Sequence, residues 1–127
     1  MRFPLKGNRL AAAATVALIA LAAPAGAASF NCGKAATADE QAICASSVLS
    51  DLDVQMAKLY GVRMQIPMLM GARGAAQDEQ RAWLADRRAC GGDVACIVQS
   101  YQQRIAELKQ TITEAMQDYC TRLGICG

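Results

Sequence analysis

Six cysteines, at positions 32, 44, 90, 96, 120 and 126, are the residues of this chain best equipped for covalent chemistry. There is no histidine and no C-x-x-C pair. Zinc sites draw on Cys and His at short spacings, so no metal is expected. Histidine is also the usual agent of acid–base catalysis, and no Ser lies in a nucleophile elbow or an S-x-x-K pattern. Carboxylate neighbours, Asp39-Glu40 and Asp78-Glu79, stand at expected helix starts, where the helix dipole accounts for them. Neither a catalytic residue nor a cofactor is expected. An even number of cysteines in a short exported chain reads as a disulfide framework. Spacing favours local bridges, Cys32–Cys44, Cys90–Cys96 and Cys120–Cys126, among the fifteen pairings that six cysteines permit.

Export is the expectation from the first residues. Arg2, Lys6 and Arg9 precede the apolar run AAAATVALIALAA (Ala11 to Ala23), followed by Pro24 and Ala25-Gly26-Ala27-Ala28. This is the order of a secretory leader, cleaved after Ala27 or, as the close alternative, after Ala28. The apolar run falls short of the ~20 residues that span a bilayer. Ser29-Phe30-Asn31 before Cys32 does not form a lipidation signal. A periplasmic or secreted protein without a membrane anchor is expected, divided into leader 1–27, helical domain 28–108 and tail 109–127.

The whole chain carries a formal charge of +2. Without the three leader cations, ten basic and eleven acidic residues remain, a net charge of −1. No clustered basic surface points to nucleic acid.

A second concentration of reactive side chains is QRAWLADRRAC, Gln80 to Cys90, which holds the single tryptophan. Gln80, Trp83, Leu84 and Arg87 fall at i, i+3, i+4 and i+7 and share one helical face. Arg81, Asp86 and Arg88 point elsewhere and read as solvated. An inward Arg87 needs an acid, since a buried unpaired charge is strongly destabilising. Asp53 is expected to pair with Arg87 or Arg104, with Tyr60 and Gln80 completing the hydrogen bonds. This network is expected to fix helix register, with Trp83 filling the core.

The elements that must position these residues are helices. Thr37-Ala38-Asp39-Glu40 is a capping box that starts a short one, and Ser46-Ser47 offers a break or a second cap. Leu49, Leu52, Met56, Leu59 and Ile66 recur at steps of three and four from Val48 to about Ile66, with Arg63 inside the stripe. Pro67 stops that helix, and Met68 to Gly74 is expected as a turn. A helix over about Ala75 to Ala89 ends at Gly91-Gly92. Asp93 caps another, to about Tyr119, with the stripe Ile97, Tyr101, Ile105, Leu108, Ile112, Met116 and Tyr119. The expected fold is all-α: a small disulfide-stapled antiparallel bundle of three main helices plus a short N-terminal one.

These residues carry a resemblance. FNCGKAATADEQAICASSVLSDLDVQMAKLY (Phe30 to Tyr60), QRAWLADRRAC and ACIVQSYQQRIAEL (Ala95 to Leu108) resemble the LprI-like lysozyme-inhibitor domain family. The shared pattern is F-x-C, E-x-x-I-C, L-x-x-L-D, a Tyr seven residues on, Q-R-x-W-L-x-x-R, two cysteines and Y-x-x-R-I-x-x-L. The resemblance implies a small, exported, mostly helical domain with bridges Cys32–Cys44 and Cys90–Cys96, and lysozyme as the partner. It matches no inhibitory loop residue by residue. The tail from Lys109 to Gly127 lies beyond the pattern.

Lysozyme cleaves with two carboxylates in a cleft, so a blocker should present donors. Arg63, Arg73, Arg81 and Arg88 are the candidates. A different class of function, an envelope interaction module with another partner, would use the turn Ile66 to Met70, where Met68 and Met70 form an adaptable apolar patch.

Overall fold

A computed structural model describes residues 27–68 and 70–126, apart from the side chain of Met70. The expected leader thus lies outside the described residues except for Ala27. A 3-10 turn, Cys32–Lys34, leads into α1 (Ala38–Ala45), α2 (Ser47–Gln65), α3 (Met70–Ala89) and α4 (Val94–Leu123).

Local chemistry sets each boundary. The Glu40 carboxylate accepts from the amides of Ala36 (2.8 Å) and Thr37 (3.2 Å), satisfying donors ahead of α1. Ser46 caps α2 by accepting from the Leu49 amide. The Ser50 hydroxyl donates to the Ile43 carbonyl at 2.8 Å and ties the end of α1 to the start of α2. Asp93 caps α4 through the Cys96 amide at 3.1 Å. Gly91 follows α3 with φ of +56°, and Gly124 closes α4 with φ of +65°, the left-handed region that glycine enters without strain.

The turn after Pro67 is shorter than the expected Met68 to Gly74: α3 already begins at Met70. Proline cannot continue α2, whereas Gly71 and Gly74 are accommodated inside a helix at about 1 kcal/mol each. Helix α4 likewise runs four residues past Tyr119.

The helices follow an up–down–up course. Gln80 of α3 meets both Met56 of α2 and Arg104 of α4. One layer along, Arg87 meets Tyr101, which meets Asp53. Helices α2 and α4 therefore run parallel, with α3 antiparallel to both. Their most extensive packing is α2 on α4, with α1 closing the end against α2 and α3. Ile43, Leu49, Met56, Trp83, Ile97, Tyr101, Ile105 and Leu108 form the core.

Two stretches of the expected inner faces are not covered. Leu84 is exposed, so only Gln80, Trp83 and Arg87 of its set turn inward. Helix α4 is core only as far as Leu108; Met116 is 49% and Tyr119 37% exposed. Periodicity puts residues on one face, but a neighbour must reach that face to bury it, and α2 ends at Gln65.

Three bridges, Cys32–Cys44, Cys90–Cys96 and Cys120–Cys126, staple the bundle, with Cα separations of 5.3–5.7 Å. They fasten the N-terminal arm to α1, the α3–α4 hinge, and the tail to the end of α4.

Candidate functional site

Among the described residues, a buried polar cluster across all four helices and an arginine-rimmed groove at the far end each combine charge with a defined shape.

The cluster is centred on the Tyr101 hydroxyl. It donates to Asp53 Oδ1 at 2.8 Å and accepts from Arg87 Nη1 at 2.9 Å. Arg87 Nε donates to Asp39 Oδ2 at 2.9 Å. Arg87 also approaches Asp53 at 3.8 Å. Asp39 and Asp53 are each 1% exposed and Arg87 5%. The guanidinium lies 5.5 Å from the Trp83 ring centre and 5.7 Å from that of Tyr101, within cation–π range. Trp83 Nε1 donates to the Ser100 carbonyl at 3.3 Å.

The expected ion pair of Asp53 with Arg87 is present, at 3.8 Å, but the rest of the wiring differs. The close carboxylate partner of Arg87 is Asp39, a residue read from sequence as a helix-start acid. Asp53 reaches Arg87 chiefly through Tyr101. Tyr60 is half-buried beside the core and takes no part in the cluster's hydrogen bonds. Arg104 does not pair with Asp53; its Nε and Nη2 donate to Gln80 Oε1 at 3.2 and 3.0 Å, and its Nη1 meets Glu107 at 3.3 Å. Gln80 in turn faces Met56 Sδ at 3.3 Å. This second polar layer joins α2, α3 and α4.

Burial sets the electrostatics. It pushes the Asp39 carboxyl up, but the Thr37 hydroxyl beside it, Arg87 and the Glu40 amide together hold it below the ordinary 3.8. The Ala36 and Thr37 amides hold Glu40 below its ordinary 4.5. Burial raises Tyr101 far above the phenol range, so its hydroxyl keeps its proton and remains a donor. Within the cluster, hydrogen bonds and ion pairs join all four helices.

The groove lies between the α2–α3 turn and the end of α4. Pro67, Met68, Ala72, Ala115, Tyr119 and Leu123 line a hollow of about 530 Å³, rimmed by Arg63, Asp118 and Arg122. Arg63 donates to Met68 Sδ, and Arg122 pairs with Asp118 at 2.9 Å. Exposed Arg73 donates to the Met64 carbonyl at 2.8 Å on the adjoining turn. Arg63, Met68 and Arg73 thus come together at this end, whereas Arg81 and Arg88 stand on the outer face of α3, Arg81 paired with Asp78. Met68 is half-buried against the groove, and the side chain of Met70 lies outside the described residues. Sequence reasoning did not find Arg122 or Tyr119 as groove residues; their signal was an apolar stripe continuing beyond the reach of α2.

Among the described residues, no group of His, Cys, Asp or Glu is placed to hold a metal ion, and no helix is long and apolar enough to cross a membrane.

Fold and sites together define a small disulfide-stapled helical domain. Residues 32–120 match the family model described as Lysozyme inhibitor LprI, and the chain belongs to that family. The match runs past Leu108 to Cys120 and so takes in most of α4. No curated protein and no solved structure matches the chain.

Proposed function

We propose that the protein is exported behind a leader at its N-terminus and inhibits a peptidoglycan-cleaving lysozyme by binding it. The family match over residues 32–120 carries this reading. The contact surface assigned to it is the groove end of the bundle. Lysozyme places two carboxylates in a cleft, and Arg63, Arg73 and Arg122 offer guanidinium donors around an apolar floor that suits the cleft walls. At a net charge of −1 outside the leader, long-range steering contributes little, so affinity rests on this local contact. Inhibition by occupancy needs no catalytic group in the protein itself.

Titrating the oxidised protein into peptidoglycan hydrolysis by C-type, G-type and invertebrate-type lysozymes tests the reading. Saturable inhibition near one-to-one stoichiometry is expected for at least one type. Arg63→Ala with Arg73→Ala is expected to weaken it at least tenfold, while Arg81→Ala and Arg88→Ala leave it unchanged. A folded protein that inhibits none of the three refutes the function; inhibition indifferent to Arg63 and Arg73 refutes the surface.

A further inference from the structure

Asp53 holds a contact that the helices alone do not require. Its Oδ2 accepts from the backbone nitrogen of Ser29 at 2.6 Å, 24 residues away in sequence. Phe30, the next residue, packs against the core and holds that nitrogen in place. Meanwhile the charges around Tyr101 do not balance. Asp39 and Asp53 contribute two negative charges and Arg87 one positive. The next buried cation, Arg104, is engaged by Gln80 and Glu107. An excess negative charge among groups 1–5% exposed is unfavourable in so dry a place. The atom nearest the excess is a neutral amide while the chain continues through it, and a cation if the chain begins there.

We infer that Ser29 is the first residue of the mature protein and that its α-ammonium forms an ion pair with the buried carboxylate of Asp53. The inference rests on the leader of the proposed function but not on lysozyme. A leader-cleaving peptidase requires small residues at the last and third-last leader positions. Gly26-Ala27-Ala28 meets that requirement, as does Ala25-Gly26-Ala27 one residue earlier, and sequence favours the earlier site only narrowly. The ion pair separates them. Hydrolysis adds water across the Ala28–Ser29 peptide bond, leaving a carboxylate on Ala28 and, at neutral pH, an ammonium on Ser29. A start at Ala28 would move the charge one residue, about 3.5 Å, along the chain and leave a neutral donor facing Asp53. An ammonium adds the attraction of a full positive charge to the hydrogen bond that a neutral amide already makes to a carboxylate. With Ser29 as the terminus, Asp39, Asp53, Arg87 and the ammonium sum to zero, and loss of the leader balances the charge around Tyr101.

The test begins with the full 127-residue chain expressed in a bacterial host. Intact mass and N-terminal sequencing of the exported protein should give a chain beginning at Ser29. A start at any other residue overturns the inference, and retention of the leader overturns the export reading as well. Two further forms, one beginning at Ala28 and one beginning at Ser29 with an acetylated amine, are then compared with the exported protein. Each should melt at least about 5 °C lower. The ammonium should also react with an amine reagent at least tenfold more slowly in the folded than in the urea-unfolded protein. Equal melting temperatures, or equal reactivity folded and unfolded, refute the ion pair without any substitution at Asp53.

Discussion

Tyr101 and Asp53, 48 residues apart, share one short hydrogen bond, and the same phenol oxygen accepts from Arg87. One side chain of α4 thereby connects the carboxylate of α2 with the guanidinium of α3. Tyr101→Phe keeps the ring and its packing against Trp83, at 5.3 Å between centroids, and removes only the hydroxyl. Because it leaves two buried partners short of a bond, the loss should be about 1–3 kcal/mol. Urea unfolding checks this; an unchanged midpoint would mean the hydroxyl contributes nothing.

Arg87→Ala should be more damaging. It removes the Nε donor to Asp39 and strands a carboxylate 1% exposed. Breaking one side of such a pair is expected to lower stability by about 3–5 kcal/mol. Arg87→Lys should not restore it, because an ammonium cannot reproduce the fork that reaches Asp39 and Tyr101 together. Adding Asp39→Asn to Arg87→Ala should recover part of the loss. Melting curves of the single and double variants decide it, and strict additivity would show that the two residues are not coupled.

The depressed carboxyls of Asp39 and Glu40 predict an acid limb. A group whose folded pKa is lowered contributes its full stabilisation above its unfolded pKa and loses it as pH falls through the folded one. The melting temperature should therefore vary little from these two groups between about pH 7 and 5 and fall steeply below roughly pH 4. Asp39→Asn should flatten that limb. A protein that gains stability on acidification would contradict the assignment.

The bridges should be unequal. Cys90→Ser with Cys96→Ser frees the hinge of two packed helices and should lower stability by about 2–3 kcal/mol. Cys120–Cys126 spans the same sequence separation but fastens an exposed end. Its removal should change the global unfolding midpoint by less than about 0.5 kcal/mol, because a bridge stabilises only what is ordered by the rest of the fold. A comparable loss for both pairs would show that the tail is integrated with the core.

What sequence made legible was local. The Glu40 cap, the Pro67 stop and the Gly91 terminator are decided within four or five residues, and each appears where the chemistry places it. The Arg87 partner was not local. Asp39 lies 48 residues away, and its place in the first turn of α1 already had a sufficient explanation in the helix dipole. Tyr101 stood in an apolar stripe, where its ring accounted for it and its hydroxyl gave no sign of a partner. Tyr60 had the right spacing from Asp53 but met no partner across the bundle. The outward turn of Leu84, Met116 and Tyr119 depends on where neighbouring helices stop, which a single helix's pattern does not record.

Helix α4, about 45 Å long at its 30 residues, therefore belongs to two cooperative units. Amides from Ile97 to Leu108 should exchange with solvent only when the whole bundle opens, because Tyr101 and Arg104 are wired to the other helices. Amides beyond Thr111, where most side chains are exposed, should exchange by fraying, independently of that event. The last bridge gives the frayed segment an unusual proteolytic signature. It closes a loop across Arg122, so a protease cutting after that arginine releases no fragment, and the nick stays invisible by size until the disulfide is reduced.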